Sequence, residues 1–236
     1  MLRLGIDVDG VVADFRTAFR TLAVRELGRR PEDGDSELSK PEIDRLWKAV
    51  AGIPNWWLDV PPYEPDQIER LYARARQGRW EVFFLTSRPP SAGDAVQLQT
   101  QVWLERFGFY LPSVVTTPAG ARGELARSLR LDLAVDDRMV NCLEVISASN
   151  AKAVLLAREA STAAGEPDPR VRDSAATRGI GVVASLLQAL DAIERFEELA
   201  SGRRGRLVRL SDWFQPKKDQ RTLPHDPRQK RPADTS

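Results

Sequence analysis

Five short apolar runs punctuate this chain: LRLGIDV (2–8), WEVFFLT (80–86), LDLAV (131–135), KAVLL (152–156) and GIGVV (179–183). Each has the length of a strand, and its apolar residues are not confined to alternate positions, the pattern of a strand covered on both faces. Between the runs the apolar residues take helical spacing: Leu98, Val102, Trp103 and Phe107; Leu125 and Leu129; then Leu186, Leu187, Leu190, Ile193 and Phe196. Strands alternating with helices predict an α/β fold, a parallel sheet flanked by helices.

One interval breaks this rhythm. More than 60 residues separate the first run from the second, where a strand-helix unit needs only about 30. Three helical faces fill the gap: Phe15, Phe19, Leu22, Ala23 and Leu27; Ile43, Leu46, Trp47 and Val50; Ile68, Leu71, Tyr72 and Ala75. The proline-rich PNWWLDVPPYEP (54–65) reads as a loop between the last two. The expected organisation is a core of residues 1–15 and 79–200, a helical cap over 16–78, and a basic, largely flexible tail over 201–236.

The tail differs chemically from the rest. It holds ten Lys and Arg against four Asp and Glu, so a formal +6 over residues 201–236 hides a −5 over residues 1–200 behind a whole-chain charge of +1. Three readings stay open: a solvated terminus, an arm for nucleic acid or a partner, and a clasp completing a homodimer. Val208, Leu210, Trp213 and Phe214 are the residues able to pack back on the body.

Several function classes drop out. No apolar run approaches the roughly 18 residues of a membrane span, and the start MLRLGIDVDG lacks the long apolar stretch of a secretory leader. The single Cys142 cannot form an internal disulfide, and cytoplasmic location is the default expectation. The sole histidine, His225, lies among prolines in the tail, which gives little support to a Ser-His-Asp triad or a histidine-rich zinc site. There is no P-loop and no G-x-G-x-x-G fingerprint.

Polar residues gather where the runs end. Asp7 and Asp9 close the first run and Gly10 follows; Thr86 and Ser87 close the second; Asp136 and Asp137 close LDLAV. Ligands of open α/β sheets bind at this carboxyl edge. An Asp at one strand end can simply cap the next helix, but three ends supplying polar groups to one rim point to a site. Carboxylates so close together repel unless a cation joins them, and oxygen donors suit Mg²⁺.

DVDGVVADF (7–15), LTSRP (85–89) and LAVDDR (133–138), in that order, resemble the motifs of the haloacid dehalogenase (HAD) superfamily of phosphotransferases over roughly residues 3–200. The long insertion after the first motif looks like the phosphatase branch with a helical cap. DVDGVVADF, NWWLDVPPYEP and VFFLTSRP together are similar to the 5'(3')-deoxyribonucleotidases and their bacterial relatives. The resemblance implies a Rossmann-like core in which Asp7 is the nucleophile, Asp9 the general acid and base, and Thr86 a donor to a phosphoryl oxygen. It also implies Mg²⁺ on Asp7, Asp136 and the backbone carbonyl of Asp9, with Asp137 acting through a metal-bound water.

The sequence departs from that pattern once. The family places a Lys before the second acidic pair, yet no Lys occurs between residues 89 and 136. Arg122 is the substitute at the expected start of a helix, ahead of Arg127 and Arg130. The substrate expected is a small phosphomonoester, a (deoxy)nucleoside monophosphate; the alternatives are a sugar or other metabolite phosphate, or a non-catalytic binding protein using its tail. Trp56 and Trp57 are candidates either for stacking on a base or for closing the cap core. Ser87 adds a hydroxyl beside the substrate, and Arg88 contacts substrate phosphate, the cap, or a surface carboxylate.

Overall fold

Strand β1 (Arg3–Asp7) is buried along nearly its whole length because strands lie on both sides of it. In this computed structural model, which describes residues 1–29, 38–78, 80–162 and 165–202, the sheet has six strands in the order β3-β2-β1-β4-β5-β6. The others are β2 (Glu81–Thr86), β3 (Ser113–Thr116), β4 (Leu133–Asp136), β5 (Lys152–Leu156) and β6 (Gly181–Val183), and every pairing is parallel. This is the expected α/β architecture.

Alternation along the strands divides the core between two faces. Leu4, Ile6, Phe84, Leu133, Val135, Val154 and Leu156 belong to one apolar cluster, with helices α1 (Phe15–Leu27) and α8 (Leu186–Gly202) contributing Phe19, Leu190 and Ile193. Leu85, Ala134, Ala153, Leu155 and Val182 belong to the other, covered by α5 (Arg122–Ser128), α6 (Met139–Ala148) and α7 (Pro169–Ala176) through Ala126, Cys142, Val145 and Ala175. Helix α4 (Val96–Arg106) buries Trp103 and Leu104 on the first side.

The long insertion holds α1, α2 (Lys40–Gly52), a 3-10 turn over Trp56–Asp59, and α3 (Pro65–Gly78). Helix α2 starts with a capping box: Ser39 and Glu42 bond reciprocally, and the Ser39 bonds hold the Glu42 carboxyl down to about 2. Phe15 of α1 stacks on Trp47 of α2 and Phe19 meets the same ring at a tilt, joining the two helices. Helix α3 lies against α8, with Arg70 bonded to Asp191 at 2.7 Å and Glu194 at 2.9 Å.

Four elements went unread in the sequence, one of them α6, whose MVNCLEVISA lies between the runs LDLAV and KAVLL. Strand β3 has only four residues, two of them exposed; α7 is short and polar; and the loop over 54–65 contains the 3-10 turn. Val208, Leu210, Trp213, Phe214 and His225 of the basic tail lie outside the described residues. No described helix is long and apolar enough to cross a membrane.

Candidate active site

Parallel pairing sets the carboxyl ends of β2, β1 and β4 side by side. The register aligns Asp7 with Leu85, one residue before Thr86, and Ile6 with Val135, one residue before Asp136. Thr86, Asp7 and Asp136 therefore meet although far apart in sequence, and all three are buried.

After β1 the chain turns back sharply, with Gly10 donating to the Ala13 carbonyl at 2.9 Å and Ala13 to that of Val8 at 2.8 Å. Gly10 has φ +90°, and a Cβ there would collide with the Asp137 carboxylate. Glycine thus satisfies both the turn and the approach of Asp137. Gly10→Ala is expected to displace Asp137, costing about 1–3 kcal/mol of stability; a melting curve checks it.

Arg122 opens α5 and reaches the centre of the cluster. One terminal nitrogen donates to Asp7 Oδ1 and its Nε to Asp136 Oδ2 at 3.3 Å, while its second terminal nitrogen, Nη1, is buried without a hydrogen-bond partner. Helix α5 can deliver this side chain because Gly123 packs directly on α6, where a Cβ would run into the Glu144 carbonyl. Asp136 also accepts from the Arg138 backbone N–H at 2.9 Å and from Asn141 Nδ2 at 2.9 and 3.0 Å.

The carboxylates perturb one another. Burial raises the Asp7 pKa well above the usual range; Asp136, Asp137 and Asp9 add to the rise while Arg122 opposes it. Burial likewise raises Asp136, against the pull of Arg122 and its hydrogen bonds. Asp137 is open to solvent as a residue, but its carboxyl is the sheltered part and is pushed up to about 7 by burial, Asp136 and Asp9.

Asp7, Asp136 and Asp137 each offer an oxygen within 4.8 Å of the others'. Three carboxylates face one guanidinium, so the donor set is both hard and over-charged, which fits Mg²⁺. These raised values also set a pH dependence. In the metal-free protein the folded state holds these protons more tightly than the unfolded chain, so the stabilisation is complete below about pH 4 and is lost as pH rises through the folded values. The melting temperature in chelator is expected to fall by about 2–4 °C from pH 5 to pH 7, and Mg²⁺ to restore it; an unchanged melting temperature across that window would contradict the raised values.

A cleft of about 1030 Å³ opens over these groups. Asp7, Asp9, Arg122 and Asp137 line its floor, with exposed Ser87 at the edge; Phe15, Trp47, Trp57 and Tyr63 supply an aromatic wall. Trp57 reaches the cleft but is almost wholly buried, its indole N–H donating to the Pro89 carbonyl at 3.0 Å. Trp56 sits behind it, ring edge to ring face, and does not line the cleft. Arg88 also lines the cleft, with its side chain buried and bonded to Asp9.

Three contributors escaped the sequence reading. Trp47 has helix-core spacing yet stands at the cleft. Asn141 lies one helical turn beyond Asp137, a spacing that could have flagged it. Arg158 follows the end of β5, so the strand-end argument would have found it; it donates to the Val11 carbonyl at 2.8 Å and to Glu64 at 2.6 Å, and its guanidinium lies 4.1 Å from the centre of the Tyr63 ring.

Among solved structures the chain superposes on a protein described as a predicted phosphatase from Clostridium acetobutylicum, with a TM-score of 0.52 and 12% identity over 86% of this chain and 99% of that one. The two share a fold. A HAD hydrolase of family IA, variant 3, from Entamoeba histolytica aligns at a TM-score of 0.49 and 12% identity, over 80% of this chain and 95% of that one. No protein-family model matches the chain, and no curated protein matches it.

Proposed function

We propose that this chain is a Mg²⁺-dependent phosphatase that hydrolyses a small phosphomonoester, a (deoxy)nucleoside monophosphate, through an aspartyl-phosphate. The observation that carries the reading is the buried Arg122 Nη1, a cationic donor without a partner beside three carboxylates at the floor of a cleft. A buried N–H of this kind costs free energy unless a ligand accepts its bond, and a phosphoryl oxygen is the matching acceptor.

Asp7 attacks phosphorus as the bond to the leaving oxygen breaks, and Asp9 gives that oxygen its proton. Water then attacks the aspartyl-phosphate, Asp9 takes a proton from it, and phosphate and free Asp7 result. Thr86 donates to a phosphoryl oxygen: its own oxygen accepts from the Arg88 backbone N–H at 3.2 Å, which leaves its proton free to donate. Asp7, Asp136 and Asp137, with the Asp9 carbonyl, would hold Mg²⁺, which supplies neutralisation of the phosphoryl charge.

The volume of the cleft suits a nucleotide-sized ligand, and the wall of Phe15, Trp47, Trp57 and Tyr63 offers apolar surface to a base. The test is phosphate release from nucleoside and sugar monophosphates, with Mg²⁺ and with chelator. Release that needs Mg²⁺ and favours nucleotides supports the reading; preference for sugar phosphates replaces the substrate, and no release from any ester overturns it.

A further inference from the structure

Arg88 is spent entirely inside the protein. Its side chain has no solvent exposure. Nε donates to both Asp9 oxygens, at 3.1 and 2.9 Å, Nη2 donates to Asp9 Oδ1 at 2.8 Å, and Nη1 donates to Thr100 Oγ1 at 3.2 Å. Every guanidinium nitrogen therefore has a protein partner. Two indoles flank the same group, with the guanidinium carbon 4.6 Å from the Trp57 ring centre and 5.9 Å from that of Trp103.

The flanking rings are themselves fixed. Trp57 donates its backbone N–H to Gln99 Oε1 at 3.2 Å as well as its indole N–H to Pro89, and Trp103 donates its indole N–H to the Val60 carbonyl at 2.6 Å. Trp57 and Val60 belong to the insertion, whereas Gln99 and Trp103 belong to α4. The Arg88 fork is thus held where the insertion meets the core.

We infer that Arg88 is the positioning residue of Asp9, its fork fixing the carboxylate that handles the leaving-group proton, and that Trp57 helps to set the fork. This rests on the proposed role of Asp9 as acid and base. A bidentate guanidinium locks the plane of a carboxylate in a way a single ammonium cannot. Asp9 Oδ1 accepts two bonds from Arg88 and Oδ2 one, so Oδ2 retains the capacity to carry the proton delivered to the leaving oxygen. Groups held within hydrogen-bond reach of that oxygen are what general acid catalysis demands.

The test compares kcat/KM, which reports steps up to leaving-group departure, for a nucleoside monophosphate and for 4-nitrophenyl phosphate, whose leaving group needs no proton. Arg88→Met is expected to lower kcat/KM about 100-fold on the nucleotide and less than about tenfold on the nitrophenyl ester, with Arg88→Lys recovering part of the loss. Inhibition by inorganic phosphate is expected to stay within about threefold of wild type, because each guanidinium nitrogen of Arg88 is already bonded to a protein oxygen. Should Arg88→Met fail to fold, Arg88→Lys alone is read for the same leaving-group gradient, at about tenfold. Equal losses on both esters, or phosphate inhibition weakened more than about tenfold, overturn the inference. Wild-type protein without Mg²⁺-dependent release overturns the phosphatase reading itself, whereas an active wild type with unchanged Arg88 variants overturns only the positioning role.

Discussion

Asp7→Asn is expected to lower phosphate release by at least about 10⁴-fold, the scale on which loss of a covalent nucleophile registers. The amide cannot form the phosphoryl bond, and no other described carboxylate occupies the end of the central strand. The fold should survive, because the substitution removes one negative charge from a group of three while Arg122 keeps its bond to Asp136. A melting temperature at or above that of wild type in chelator, alongside lost turnover, is the expected pair of results. Residual activity above about one part in a hundred would mean that water attacks phosphorus directly.

Arg122→Met is expected to damage both activity and stability. It leaves Asp7 and Asp136 buried without their cationic partner, and breaking a buried pair from one side costs about 3–5 kcal/mol. It also removes the donor assigned to the phosphoryl group, worth about 10²–10³ in rate. Arg122→Lys should recover turnover to within about tenfold of wild type, since an ammonium can reach Asp7 and phosphate, but not full stability, since it cannot span Asp7, Asp136 and the Leu85 carbonyl as the guanidinium does. Chemical denaturation and steady-state kinetics separate the two effects. A lysine variant as inactive as the methionine variant would show that the fork, not the charge, is what the site requires.

The parallel sheet was legible because buried strands leave unbroken apolar runs, and the positions of Asp7, Thr86 and Asp136 followed from where those runs stop. Strand β3 was not, since SVVT is too short and too exposed to stand out. Arg122 stood out only as the stand-in for the Lys that the resemblance implies, and its bonds to both Asp7 and Asp136 depend on how closely Gly123 lets α5 approach α6. The partners of Arg88 were beyond reach: Asp9 is 79 residues away, and nothing in LTSRP shows that the guanidinium turns inward. Periodicity likewise gives the buried face of a helix, not what lies above it, so Trp47 read as core although it borders the cleft.

The central place of β1 has a consequence for how the chain matures. Its two neighbours, β2 and β4, begin at residues 81 and 133, so the first strand emerges long before either edge can be paired. Until β4 is available, β1 presents an apolar ribbon with an open flank, and the contacts that close it span more than a hundred residues. Long-range pairing of this kind is slow because loop closure must precede its reward. The acidic cluster is therefore complete only once β4 has docked.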